Sequence, residues 1–205
     1  MVANAQKHKH NPEFIDDMVD TVSNTVSRMS KLMAQLRSGT GQTEQQEFEL
    51  VELLERVIAE SNLRTPIPEL ALVESTITLT CDRERLHTVF GHLVQNAQEA
   101  TDKDGHVIIR LLRNHGAAVV EIEDNGIGMD EHFIRHRLFK PFDSTKGLTG
   151  MGIGAFESRD FIRSLGGNIS VQSTPGRGSI FRVRIPCAEE TEFGHVYTPH
   201  KVNIL

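Results

Sequence analysis

Four short stretches, in this order, decide how the chain is read: His92-Leu93-Val94-Gln95-Asn96-Ala97, Glu123-Asp124-Asn125-Gly126-Ile127-Gly128-Met129, Phe139-Lys140-Pro141-Phe142-Asp143-Ser144-Thr145-Lys146 and Thr149-Gly150-Met151-Gly152-Ile153-Gly154. The first is part of a long helical pattern from about Arg83 to Thr101, in which His92 and Asn96 share a face at i,i+4 spacing. The second closes a β-rich run with an acidic residue and two glycines. The third spaces two phenylalanines ahead of hydroxyls and an ammonium. The fourth is a glycine series opening another helical pattern, about Gly152 to Leu165, which Gly166-Gly167 would end. Any one of them is weak evidence, because glycine-rich loops and Asp-Asn-Gly turns arise often by chance. Their order and spacing together carry the inference.

Outward from these stretches the elements alternate. A short strand is expected near Glu47 to Leu50, a helix from about Val51 to Ser61, a break at Pro66 and Pro68, and a strand over Thr76 to Cys81. His106 to Arg113 and Ala117 to Asp124 flank Asn114-His115-Gly116 as a hairpin. Two closing strands, Asn168 to Ser173 and Ser179 to Ile185, are joined by Thr174-Pro175-Gly176-Arg177-Gly178. The fold class that follows is α+β: a two-layer sandwich, an antiparallel-rich mixed sheet with helices on one face.

Ahead of this region, Phe14, Met18, Val22, Val26 (or Thr25), Met29, Leu32 and Leu36 recur at three- and four-residue steps over 12–37. Asn11 suits an N-cap, Pro12 the first helical position, and Gly39 follows the end. So narrow a seam needs a partner helix to be buried. Residues 39–46 are polar and glycine-containing and read as a linker, so the expected divisions are 1–38, 39–46, 47–187 and a polar tail over 188–205.

Bulk properties exclude several classes. The chain of 205 residues carries a net charge of −6, without the basic stripe that a nucleic-acid surface needs. Cys81 and Cys187 fit neither a metal-binding spacing nor a disulfide framework, which points to a reducing compartment. No apolar run approaches the roughly 18 residues of a membrane span, and Met1 to Asn11 lacks the apolar centre of a signal peptide. The expectation is a cytoplasmic location for this region, whatever anchor a parent protein carries.

The four stretches resemble the N, G1, F and G2 boxes of sensor histidine kinases, in the ATP-binding superfamily that also holds gyrase B and heat-shock chaperone ATPases. The resemblance covers about residues 45–187. It implies the Bergerat-type ATP-binding fold, with ATP and Mg²⁺ as cofactors. Asn96 would be the metal ligand, and Asp124 would accept the adenine amino proton. Gly126 and Gly128 would admit the backbone close to the ring. Phe139 and Phe142 would anchor a loop or form part of a moving lid of about 20 residues between the glycine boxes. Thr145 and Lys146 would stand near the phosphates, Lys146 with Asn96 in the catalytic set. Gly150, Gly152 and Gly154 would open a helix whose first N–H groups favour an anion. No Lys or Arg follows Asn96-Ala97, where Gln98 and Glu99 stand, so Arg137 and Lys140 are candidates to assist in neutralising phosphate.

Two departures shape the functional expectation. Hydrolysing members of the superfamily carry a glutamate where this chain has His92, which disfavours an ATPase; His92 itself is left either as a ligand-contacting residue or as a pocket-edge one. None of the ten histidines is followed by an acidic residue, as the phosphoacceptor usually is. Residues 1–10 and 12–37 then read as the end of the first helix and the whole second helix of a dimerisation hairpin, the acceptor lying upstream. The implied partners are ATP, a second copy of the chain through the hairpin and a response-regulator receiver domain. Lys7-His8-Lys9-His10-Asn11-Pro12-Glu13-Phe14-Ile15-Asp16-Asp17, with Gln95-Asn96-Ala97-Gln98-Glu99-Ala100-Thr101, is similar to sensor kinases of exosortase (PEP-CTERM) and exopolysaccharide systems. A nucleotide-binding interaction module, a hydrolysing ATPase and an anti-sigma serine kinase are the alternatives.

Overall fold

The structure, a computed structural model, describes residues 45–71, 76–141 and 153–187. The expected helix over 12–37 and the tail over 188–205 lie outside the described residues. Within them the order is β1 (Gln46–Glu49), α1 (Leu50–Ser61), β2 (Glu69–Leu70), β3 (Thr78–Cys81), α2 (Arg83–Ala100), β4 (Val107–Arg113), β5 (Ala117–Asp124), α3 (Glu131–His136), α4 (Gly154–Ser164), β6 (Asn168–Thr174) and β7 (Gly178–Pro186). The first strand begins one residue earlier than its sequence suggests, inside the expected linker, and Leu50 opens the helix rather than closing the strand.

Five strands form one sheet in the order β2-β4-β5-β7-β6, parallel only between β2 and β4. A separate antiparallel pair joins β1 to β3, Phe48 lying opposite Leu79. Neither β2 nor this second sheet was expected from the sequence. Two residues after Pro68 are too few to show alternation, and strand partners far apart in the chain leave no local signal.

Alternation in the large sheet separates its faces. Ile109, Leu111, Val120, Ile122, Phe181, Val183 and Ile185 are buried together with Leu86, Phe90, Leu93 and Val94 of α2 and Phe161 and Ile162 of α4. The opposite face holds Arg110 paired with Glu123, and Arg182 with Glu121 at 2.7 Å. One face is thus apolar and covered by helices, the other charged, as a two-layer α+β sandwich requires.

Local chemistry fixes the ends of each element. Asp82 caps α2, its Oδ1 accepting the Arg85 N–H at 2.9 Å. At the other end Thr101 returns its hydroxyl to the Ala97 carbonyl at 2.8 Å. His115 and Gly116 both have positive φ, 45° and 66°, which suits a two-residue hairpin whose twist matches the strands. Gln98, 4% exposed, donates Nε2 to the carbonyls of Ser61, Arg64 and Pro66 at 3.0–3.1 Å. The amide standing after Asn96-Ala97 therefore holds the segment that leaves α1. No described helix is long and apolar enough to cross a membrane.

Gly91, in the middle of α2, has nothing within 4 Å of where a Cβ would sit. Alanine there should remove the entropic cost of glycine without a clash, and Gly91→Ala should stabilise the domain by about 0.5–1 kcal/mol in urea titrations.

Candidate functional site

Asp124 is the last residue of β5 and is flanked by Val107 of β4 and Ser179 of β7. Central position in the sheet leaves it only 4% exposed. Its Oδ1 accepts the Gly126 N–H at 2.9 Å, and both the backbone N–H and the hydroxyl of Ser179 also donate to the carboxylate. Burial raises its pKa above the ordinary 3.8, and Glu123 adds to the rise; the bonds from Gly126 and Ser179 oppose it. An ionised carboxylate has about four acceptor positions, so this one keeps capacity for one further donor.

Two hydroxyls build the floor behind it. Ser173 and Ser179 stand 3.0 Å apart through their Oγ atoms. Ser173 Oγ also accepts the Met129 N–H at 2.8 Å and lies 2.8 Å from the Gly178 carbonyl, to which it donates. Ser179 and Ser173 were not among the residues expected from the sequence. Their role depends on β7 lying beside β5, a pairing between segments some 50 residues apart.

The loop after Asp124 is pressed against the protein itself. A Cβ at Gly126 would stand 2.1 Å from the Ala100 carbonyl oxygen, and the next residue, Ile127, donates its N–H to that oxygen at 2.9 Å. Gly128 has φ +65°, and a Cβ on it would meet the Thr174 carbonyl oxygen at 2.1 Å. The sequence suggested that these glycines make room for a ligand. Their described constraint is the close approach of the loop to α2 and to the β6–β7 turn. Ile127, three residues after Asp124, is left 74% exposed.

Along α2, His92, Asn96 and Ala100 follow one another at four-residue steps, each about 6 Å further along the helix. Ala100 touches the Asp124 loop. At the other end the His92 ring lies beside Gly154, where a Cβ would be 3.3 Å from its Cγ. Asn96, half-buried, stands between the two. One helix face therefore connects the acidic strand end to the first turn of α4. His92 is a residue against which Gly154 packs, so any side chain at 154 would press on it.

Phe139 is half-buried and packs against the core beside Leu138 and Met129. Arg159 of α4 holds it twice, with its guanidinium carbon 4.5 Å from the ring centroid and Nη2 donating to the Phe139 carbonyl at 3.3 Å. Lys140 is exposed, and Arg137 lies over the Phe133 ring at 5.3 Å. Phe142, Thr145, Lys146, Gly150 and Gly152 lie outside the described residues. The structure thus places Asn96 on the α2 face between Gly126 and Gly154, ties Asp124 to Gly126, sets Gly128 against the β6–β7 turn and fastens Phe139 to α4.

The donor set can be tested against the groups expected here. A buried carboxylate with one open acceptor position suits a ligand that brings a donor such as an amine. No group of three His, Cys, Asp or Glu side chains able to hold a metal ion occurs among the described residues. A cation near Asn96 would therefore take most of its ligands from phosphate and water, which is how Mg²⁺ is usually bound with nucleotides.

Because the folded domain holds the Asp124 proton more tightly than the unfolded chain does, unfolding free energy falls as pH rises from the ordinary carboxyl value through the raised one. Asp124→Asn should flatten this part of the pH–stability curve. Thermal melts of the two proteins across pH 3.5 to 7 measure it.

Residues 81–189 match the family described as histidine kinase-, DNA gyrase B-, and HSP90-like ATPase. The alginate biosynthesis sensor protein KinB of Pseudomonas aeruginosa is 28% identical over 181 residues, covering 83% of this chain and 30% of that protein. The catalytic domain of the histidine kinase ThkA, in a nucleotide-free form, is 26% identical with a TM-score of 0.63, over 70% of this chain and 96% of that one. ThkA in complex with the response regulator protein TrrA superposes with a TM-score of 0.61 at 24% identity, over 93% and 57% of the two chains, and shows the fold alone. The chain spans less than a third of the length of the curated relatives it matches. It belongs to the histidine kinase-, DNA gyrase B- and HSP90-like ATPase family.

Proposed function

We propose that this member of the family is the ATP-binding catalytic region of a two-component sensor histidine kinase. The observation that carries the reading is the buried Asp124 carboxylate at the end of β5, joined by one face of α2 to Asn96 and to the start of α4. In this reading Asp124 accepts the adenine amino proton and Ile127 covers the ring. Asn96 would offer a neutral oxygen to a Mg²⁺ bound with the phosphates, which would supply charge neutralisation there. The first N–H groups of α4 and Lys146 bind phosphate oxygens. An imidazole nitrogen of the acceptor histidine attacks the γ-phosphorus in line, the P–N bond forms, the P–O bond to ADP breaks and the imidazole loses its proton. Catalysis is then mainly positioning and charge stabilisation.

Several further expectations belong to the same reading. The acceptor histidine lies outside this chain, the seam over 12–37 pairs with a second helix to form a homodimer, and the phosphoryl group passes to a response-regulator aspartate. ThkA, whose complex with its regulator has the same fold, supports that partner class. The catalytic step takes place in the cytoplasm. Residues 7–17 and 95–101 favour the kinases of exosortase systems. His92 in place of a glutamate argues against ATP hydrolysis as the main activity.

The test supplies the acceptor in trans. The chain and γ-labelled Mg-ATP are mixed with a longer version that carries the upstream histidine and Asn96→Ala. Acid-labile label on the longer chain is the expected result; free phosphate without labelled protein would contradict it. In direct binding, Asp124→Ala removes a charge-assisted hydrogen bond worth about 1.5–3 kcal/mol. Its Kd for Mg-ATP should rise by roughly ten- to a hundredfold by calorimetry.

A further inference from the structure

We propose that Arg159 is a positioning residue for the nucleotide site, fastening Phe139 to the helix that starts at Gly154. The inference rests on the nucleotide-binding reading and deepens it by naming what holds Phe139 against α4.

Arg159 sits five residues into α4 from Gly154, about 7.5 Å along the axis. Its guanidinium uses two separate surfaces on one target. The guanidinium carbon lies over the Phe139 ring, 4.5 Å from its centroid, and Nη2 donates to the carbonyl of the same residue at 3.3 Å. Side chain and backbone of Phe139 are therefore fixed together. Residues 133–140 leading to this point are already folded on themselves. Arg137 and Leu138 donate their N–H groups to the Phe133 carbonyl at 2.9 Å, and Lys140 donates to that of Arg137 at 2.9 Å. Phe139 is the last core-packed side chain before Lys140 and Pro141, and Thr145 and Lys146 follow within a few residues.

Arg159 makes no ion pair with any described carboxylate, and burial, followed by the neighbouring Arg163, lowers its pKa, with Asp160 opposing. Among the described residues, the groups it bonds are the Phe139 ring and carbonyl, both uncharged. Lysine is not equivalent, because an ammonium cannot stack flat and donate edgewise together.

The molecule supplies its own control. Arg85 lies over Phe161 at the same 4.5 Å, between α2 and α4. Binding of Mg-ATP is measured by calorimetry, beside thermal melts, for the whole chain and for Arg159→Gln, Arg159→Lys, Arg85→Gln, Phe139→Leu and the Arg159→Gln/Phe139→Leu pair. Arg159→Gln should weaken binding by about five- to tenfold, as loss of a contact worth about 1 kcal/mol or slightly more implies. Lysine should restore only part of it. Arg85→Gln should lower Tm to a similar degree yet keep Kd within twofold. Arg159→Gln should add little once Phe139 is leucine. Equal Kd for Arg159→Gln and the unaltered chain, or a loss matched by Arg85→Gln, overturns the assignment while leaving nucleotide binding intact. Failure of the unaltered chain to bind Mg-ATP overturns the nucleotide reading and this inference with it.

Discussion

Asp124 ends β5, the middle strand of the large sheet. With β4 on one side, β7 on the other and α2 above, its carboxylate is nearly closed off from water, and the surrounding structure answers that burial. Donors from Gly126 and Ser179 converge on it, yet its pKa stays above the ordinary value. Such a group is destabilising unless a further donor reaches it. A fold that keeps a buried carboxylate with one open acceptor position at the end of its central strand has left binding capacity at that point.

Everything else in the site is measured from α2. Its buried side builds the core through Leu86, Phe90, Leu93 and Val94. Its His92–Asn96–Ala100 face sets the distance between the acidic loop and the first turn of α4. The α1 side is fastened by Gln98. A single rigid helix therefore carries packing, spacing and a metal-ligand candidate. Arg159 extends the same logic to the Phe139 segment through α4.

The parts legible in the sequence were those with local signatures. Asp124 before two turn-forming glycines, Asn96 one turn from His92, the Asn114-His115-Gly116 turn and the Gly166-Gly167 helix end all appear where the chain pattern put them. In the last case Gly166 has φ +74° and its N–H reaches the Arg163 carbonyl, while that of Gly167 reaches Ile162. Ser179 and Arg159 were not legible, because each acts on a residue distant in the chain, through a strand register or a helix-to-loop contact. The glycines show the middle case: their positions were readable, but their tight fit against Ala100 and Thr174 needed the tertiary structure.

The most direct measurement is the titration of the Asp124 carboxyl itself, followed by carbon-detected NMR with and without saturating Mg-ADP. A carboxylate that accepts the adenine amine is favoured in its charged form, so its raised pKa should fall when nucleotide binds. Loss of the same shift in a complex with a nucleotide lacking the amine would complete the result. An Asp124 titration unchanged by bound nucleotide would contradict the account, since the buried strand end would then not be where the base is held.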